Sequence, residues 1–140
     1  AEPQPALHDE QQGSETILIV EDEDEVREVA AATLSGLGYR TLVARDGREA
    51  LSMLSDRPDI DLLFTDYVMP NGLNGAELAR EALRVRRGLK VLLTSGYAGQ
   101  GSLDGGLEGL SMIAKPYRAA ELAQRIRRIL DDEARVQTAG

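Results

Sequence analysis

The chain has 140 residues, one domain's worth, and its 42% hydrophobic content includes one Phe, four Tyr and no Trp, so the core is aliphatic. Twenty-four acids against 16 bases leave a net charge of −8, which argues against a nucleic-acid-binding module and against attraction to anionic lipid. With no cysteine, disulfide scaffolds, Cys-ligated zinc, iron–sulfur clusters and thiol catalysis are excluded.

Residues 1–15 are rich in Pro, Gln, Glu and Gly and read as a disordered tail or linker. Residues 16–20, Thr-Ile-Leu-Ile-Val, form a continuous apolar run, the mark of a strand buried on both faces. Val26, Val29, Ala30, Thr33, Leu34 and Leu37 then mark one stripe of an amphipathic helix, which Gly38 stops as a C-terminal cap. A second strand follows over 39–44. Asp46 opens a short helix to about residue 55, with Glu49 placed as in a capping box, and Arg57-Pro58 ends it.

Residues 60–65 are the third strand and 67–73 a loop. Asn74 with Glu77 caps a helix to about residue 87, near whose end Arg84, Arg86, Arg87 and Lys90 read as a solvated basic patch. Residues 90–94 and 110–114 are the last two strands. Between them, residues 96–109 hold six of the fourteen glycines. Each Gly costs a helix interior roughly 0.8–1 kcal/mol relative to Ala, so the helix expected in this slot is weak or mobile. Ala119, Leu122, Ala123, Ile126, Ile129 and Leu130 form the buried face of a final helix, and residues 134–140 read as a frayed tail.

Strands alternating with helices imply an α/β domain over 16–133, a doubly wound five-stranded parallel sheet with helices on both faces. Ligands of such sheets gather at the carboxyl ends of the strands. There the sequence places Glu21-Asp22-Glu23-Asp24-Glu25, then Asp66, then Thr94-Ser95, then Lys115-Pro116. The charge is divided accordingly: residues 1–70 carry 16 acids and 5 bases, residues 71–140 carry 8 and 11. Carboxylates converging in a small space repel unless a cation sits among them. The only histidine, His8, lies in the tail, so the ligands are hard oxygens, which favours Mg²⁺, with Mn²⁺ second. A metal-bound Asp, a hydroxyl and a Lys together describe phosphoryl transfer onto a carboxylate. Glu23, Asp24 and Glu25 read instead as acids complementing a helix dipole.

Over roughly residues 15–133 the sequence resembles the receiver domain of two-component response regulators. The resemblance rests on Ile17-Leu18-Ile19-Val20-Glu21-Asp22-Glu23, Thr65-Asp66-Tyr67-Val68-Met69-Pro70, Leu92-Leu93-Thr94-Ser95 and Ala114-Lys115-Pro116-Tyr117. It implies a flavodoxin-like strand order 2-1-3-4-5 and a cis Lys115-Pro116 peptide. It also implies that Asp66 is the phosphoacceptor, charged by a histidine kinase or histidine phosphotransfer domain. Asp22 and Asp66 would bind Mg²⁺ directly, Glu21 through a water, with the Val68 carbonyl as a further ligand. Thr94 and Lys115 would hold phosphoryl oxygens. A conformational switch would then signal to a downstream protein.

Three departures qualify the likeness. Glu21 stands where many receivers have Asp, and the loop 69–75 is one residue longer than the common form. Met112 occupies the position that often carries a switching aromatic, so Thr94, Tyr97 and Met112 are the switch candidates, Tyr97 as the substitute aromatic. Val68 and Gly96 offer no polar group to orient water, which implies slow self-dephosphorylation. Val68, two residues past Asp66, also leaves an Asp-nucleophile phosphohydrolase without its acid/base. A flavin carrier would need phosphate-cradling residues where the acids stand. The remaining alternative is a receiver-like interaction domain that works without phosphate. The longest apolar run falls far short of a membrane span and the N-terminus lacks a signal-peptide pattern, so the expected location is cytoplasmic, without membrane contact. The expected context is a stand-alone receiver or one excised from a hybrid sensor kinase.

Overall fold

The apolar runs become strands β1 (Thr16–Val20), β2 (Arg40–Ala44), β3 (Ile60–Asp66), β4 (Lys90–Ser95) and β5 (Ser111–Ala114). Helices α1 (Asp24–Gly36), α2 (Gly47–Asp56), α3 (Gly75–Val85) and α4 (Ala119–Ala139) complete the described elements. The computed structural model describes residues 14–69, 73–95 and 111–139, with side chains as far as residue 131. His8, Tyr97, loop positions 70–72 and the glycine-rich segment 96–109 lie outside the described residues.

All strand pairs are parallel, in the order β2-β1-β3-β4-β5. Side chains alternate across the sheet and build two cores. Leu18, Val20, Leu63 and Leu93 pack beneath Ala50 and Leu54 of α2 and Leu78, Ala79 and Ala82 of α3. Ile17, Ile19, Leu62, Phe64, Leu92 and Ile113 face Ala30 and Leu34 of α1 and Leu122, Ile126 and Ile129 of α4. Apolar cover on both faces explains why these strands read as unbroken hydrophobic runs rather than alternating ones. The register slips once, where Thr16 pairs with Ile60 but Ile17 with Leu62. The extra residue, Asp61, turns out of the core and accepts the Thr16 N–H at 2.9 Å.

The helix ends follow their local chemistry. Gly38 has φ 99°, its N–H donates to Ser35 O, and the Tyr39 N–H donates to Leu34 O, the paired bonds of a Schellman stop. Asn74 and Glu77 form a reciprocal capping box, at 2.8 Å and 3.0 Å. Replacing Asn74 by Ala leaves the Glu77 N–H without its partner, and a loss of about 0.5–2 kcal/mol is expected in urea unfolding. At α2 only half of the expected box forms: Asp46 accepts the Glu49 N–H, but the Glu49 carboxylate takes the Arg45 N–H.

Four further expectations need correction. Val29 is 66% exposed, because it sits at the margin of the stripe centred on Val26, Ala30 and Leu37. Ala119 is exposed as the first residue of α4, ahead of the turn that reaches the sheet. α4 continues through residues 134–139, since no Gly or Pro interrupts the chain before Gly140. Arg86 is not a solvated member of a basic patch: it donates to the carbonyls of Arg57 (3.1 Å) and Ile60, tying the end of α3 to the start of β3. At the same end of the sheet, Arg127 of α4 grips both carboxylate oxygens of Glu15, at 2.8 Å and 3.1 Å. This anchors the residue just ahead of β1 to the last helix.

Candidate functional site

β1 has β2 on one side and β3 on the other, so the loops leaving β1 and β3 diverge to opposite sides of the sheet and leave a crevice at their carboxyl ends. The first loop residues are still held by the ladder. Glu21 N–H donates to Ala44 O (3.1 Å), Tyr67 N–H to Thr94 O (2.8 Å) and Lys115 N–H to Ser95 O (2.9 Å). Side chains rooted there start from fixed backbone, the condition for a preorganised site.

Asp66 and Thr94 are register partners across β3 and β4, so their side chains leave the same face of the sheet. The Thr94 hydroxyl donates to Asp66 Oδ1 at 3.3 Å and Lys115 Nζ to Oδ2 at 3.2 Å. Lys115 Nζ also stands 3.8 Å from Glu21 Oε1. The Lys115–Pro116 peptide is cis. Tyr117, next in the chain, sets its ring edge-on to Phe64, with centroids 6.2 Å apart. A small cleft lined by Glu21, Asp66, Thr94, Lys115 and Tyr117 opens at this point.

Glu21, Asp22 and Asp66 each present a carboxylate oxygen within 4.8 Å of the others. Among the described residues this is the one cluster of three or more His, Cys, Asp or Glu side chains close enough to share a metal ion. Oxygens around one octahedral Mg²⁺ stand about 3–4.2 Å apart, so a small closure or one intervening water brings this all-oxygen set into range. The donor set therefore fits a hard divalent cation. Burial, above all, pushes the Glu21 carboxyl up to about 7, and the neighbouring Asp66 charge and Asp22 carboxyl add to it. The Glu23 N–H, which donates to Glu21 Oε2 at 3.1 Å, and the Lys115 charge pull the other way.

A cation entering this cluster must displace the Glu21 proton below that pH. The sign follows: Mg²⁺ affinity is expected to fall by up to about tenfold for each unit the pH drops below about 7 and to level off above it. Isothermal titration calorimetry from pH 5.5 to 8 checks this. Glu21→Gln is expected to flatten the profile, and an unchanged slope would assign the proton to another group.

The remaining expected positions are distributed unevenly. Val68 lies in the loop after β3 with its side chain 48% exposed. Met112 pairs with Leu93 in β5 and packs against the α2–α3 core, and its carbonyl accepts from Arg125 of α4. Tyr97 lies outside the described residues. Two contributors are not legible as site residues in the sequence. A Cβ on Gly75, the first residue of α3, would be driven into the Asp66 carbonyl and come within 2.7 Å of Tyr67 Cα. Arg27 of α1 turns inward to the acidic loop, where its Nη1 donates to the Glu21 carbonyl at 2.8 Å. A glycine directly after a capping Asn is the available signal for the first. An Arg two residues past the end of an acidic run offers none for the second.

A profile of the response regulator receiver domain matches residues 17–127. The phosphate regulon transcriptional regulatory protein PhoB of Pseudomonas aeruginosa is 33% identical over 139 residues, covering 89% of this chain and 58% of that protein. The sensor kinase CckA of Brucella abortus is 31% identical over 86% of this chain and 13% of its own length. The crystal structure of the receiver domain from the hybrid histidine kinase CckA superposes with a TM-score of 0.70 at 38% identity, covering 82% of this chain and 98% of that one. The chain thus spans little more than half of the first relative and a small part of the second.

Proposed function

The chain belongs to the response regulator receiver domain family of two-component systems, and from that premise we propose that Asp66 accepts a phosphoryl group from a phosphohistidine. The observation that carries this is the placement of one carboxylate between a hydroxyl and an ammonium, with two further carboxylates beside it. An Asp66 oxygen attacks phosphorus, the bond from phosphorus to the donor nitrogen breaks, and an aspartyl phosphate results. Thr94 and Lys115, now aimed at Asp66, are positioned to donate to the oxygens of the arriving group. Glu21, Asp22 and Asp66, with the Val68 carbonyl, would hold Mg²⁺. Bound there, the ion neutralises charge between the acceptor and the incoming phosphoryl group.

In this reading the donor is a histidine kinase or histidine phosphotransfer domain on the cytoplasmic side, and the output passes to a downstream protein. Among the described residues no helix is long and apolar enough to cross a membrane. Apart from accepting and losing the phosphoryl group, the domain catalyses nothing. The test is intact-mass spectrometry after incubation with Mg²⁺ and acetyl phosphate. One added phosphoryl group is expected, and none when a chelator replaces the metal. Followed in time, the added mass is expected to decay slowly, since the aliphatic Val68 gives no acid or base beside Asp66. No gain with Mg²⁺ present would overturn the proposal in favour of a phosphate-independent interaction domain.

A further inference from the structure

Arg27 is a cation in the first turns of a helix, where acids are the favoured charge. Yet its side chain is only 13% exposed, and its guanidinium reaches the loop that carries Glu21 and Asp22 as well as Asp24, the first residue of the helix. One arm donates to the Glu21 carbonyl at 2.8 Å and the other pairs with the Asp24 carboxylate. The Glu21 carbonyl belongs to the peptide that links Glu21 to Asp22. Holding that oxygen therefore fixes the plane from which the Asp22 side chain departs, while the Asp24 contact fixes the chain two residues further on. On the other side, the Glu21 N–H is already held by Ala44 O and its carboxylate by the Glu23 N–H. Asp22 thus springs from a loop pinned at both flanks.

We infer that Arg27 is a positioning residue for the cation site: it sets the Asp22 carboxylate for metal without touching the metal. This inference rests on the reading of Glu21, Asp22 and Asp66 as a Mg²⁺ site. Charge and position predict opposite outcomes, which makes the role separable. Acting only as a nearby positive charge, Arg27 would repel Mg²⁺, and its removal would tighten binding at low salt. Acting through geometry, its removal weakens binding, as loss of outer partners of metal ligands does, by about tenfold or more.

The experiment is calorimetric Mg²⁺ titration of the full chain and its Arg27→Ala and Arg27→Lys variants at pH 8, with urea unfolding run in parallel. Arg27→Ala is expected to raise the Mg²⁺ dissociation constant about tenfold. Arg27→Lys, which reaches one acceptor rather than two, is expected to fall between it and the wild type. In acetyl phosphate labelling, Arg27→Ala should need more Mg²⁺ for half-maximal rate yet reach the same rate at saturation. Lower stability with an unchanged dissociation constant would make Arg27 merely structural, and tighter binding would make it a charge effect, so either overturns the inference. Wild-type protein that binds no Mg²⁺ at all would defeat the site reading itself, a distinguishable result.

Discussion

Asp66→Asn is expected to take up no phosphoryl group under conditions that label the wild type to completion, an all-or-none difference in intact mass. The amide keeps the shape of the side chain, and its oxygen can still accept the hydrogen bond that Asp66 takes from Thr94 at 3.3 Å. What it loses is the anionic oxygen that must form the bond to phosphorus. The substitution should leave the fold intact, because Asp66 adds negative charge where Glu21 is already pushed up to about 7 by burial and by that same neighbour. A neutral Asn removes one of the causes, so the Glu21 carboxyl should titrate lower in this variant. Circular dichroism distinguishes a folded, unlabelled protein from an unfolded one. Labelling of Asp66→Asn at the wild-type level would show that phosphate goes elsewhere.

Gly75→Ala is expected to cost about 1–3 kcal/mol in urea unfolding, toward the upper end, and to slow labelling by acetyl phosphate. The atoms in the way are backbone, the Asp66 carbonyl and Tyr67 Cα, and cannot rotate aside as a side chain could. The same stretch is drawn tight by the Gly75 N–H, which donates to Tyr67 O at 2.7 Å. Accommodating a methyl group means moving the start of α3 away from the end of β3, and with it the backbone that carries the acceptor. Gly36→Ala is the control. A Cβ there meets nothing within 4 Å, so that substitution should be neutral or stabilising by up to about 1 kcal/mol. Equal effects from the two would mean that α3 yields without strain.

Much of the architecture was legible because its causes are local. Apolar runs bounded by turn residues became the five strands, and Gly38 and Asn74 ended and began helices as their chemistry requires. Misreadings fell where a side chain's fate depends on what lies opposite it. Val29 has the right residue type for a core stripe but no neighbour to bury it. Arg86 looked like one more solvated charge until α3 brought it against the carbonyls of Arg57 and Ile60. The candidate site divides the same way. Glu21, Asp22, Asp66, Thr94 and Lys115 were identifiable because strand ends in a parallel sheet share one edge. Gly75 and Arg27 approach that edge from helices; a glycine after a capping Asn marks the first, and sequence spacing carries no sign of the second.

The opening excess of acid acquires a structural meaning in these terms. The sequence alone determined an α/β chain with Glu21, Asp22, Asp66 and Lys115 at strand ends, because unbroken apolar runs and helical stripes record which residues face a core. Only the tertiary structure decided that Lys115 meets Asp66 across 49 residues of chain, at 3.2 Å, and that Glu21 lies buried enough to hold its proton near neutrality. Those outcomes depend on strand order and on solvent exclusion, which arise when β1, β3, β4 and β5 are laid side by side. No stretch of the chain carries them by itself.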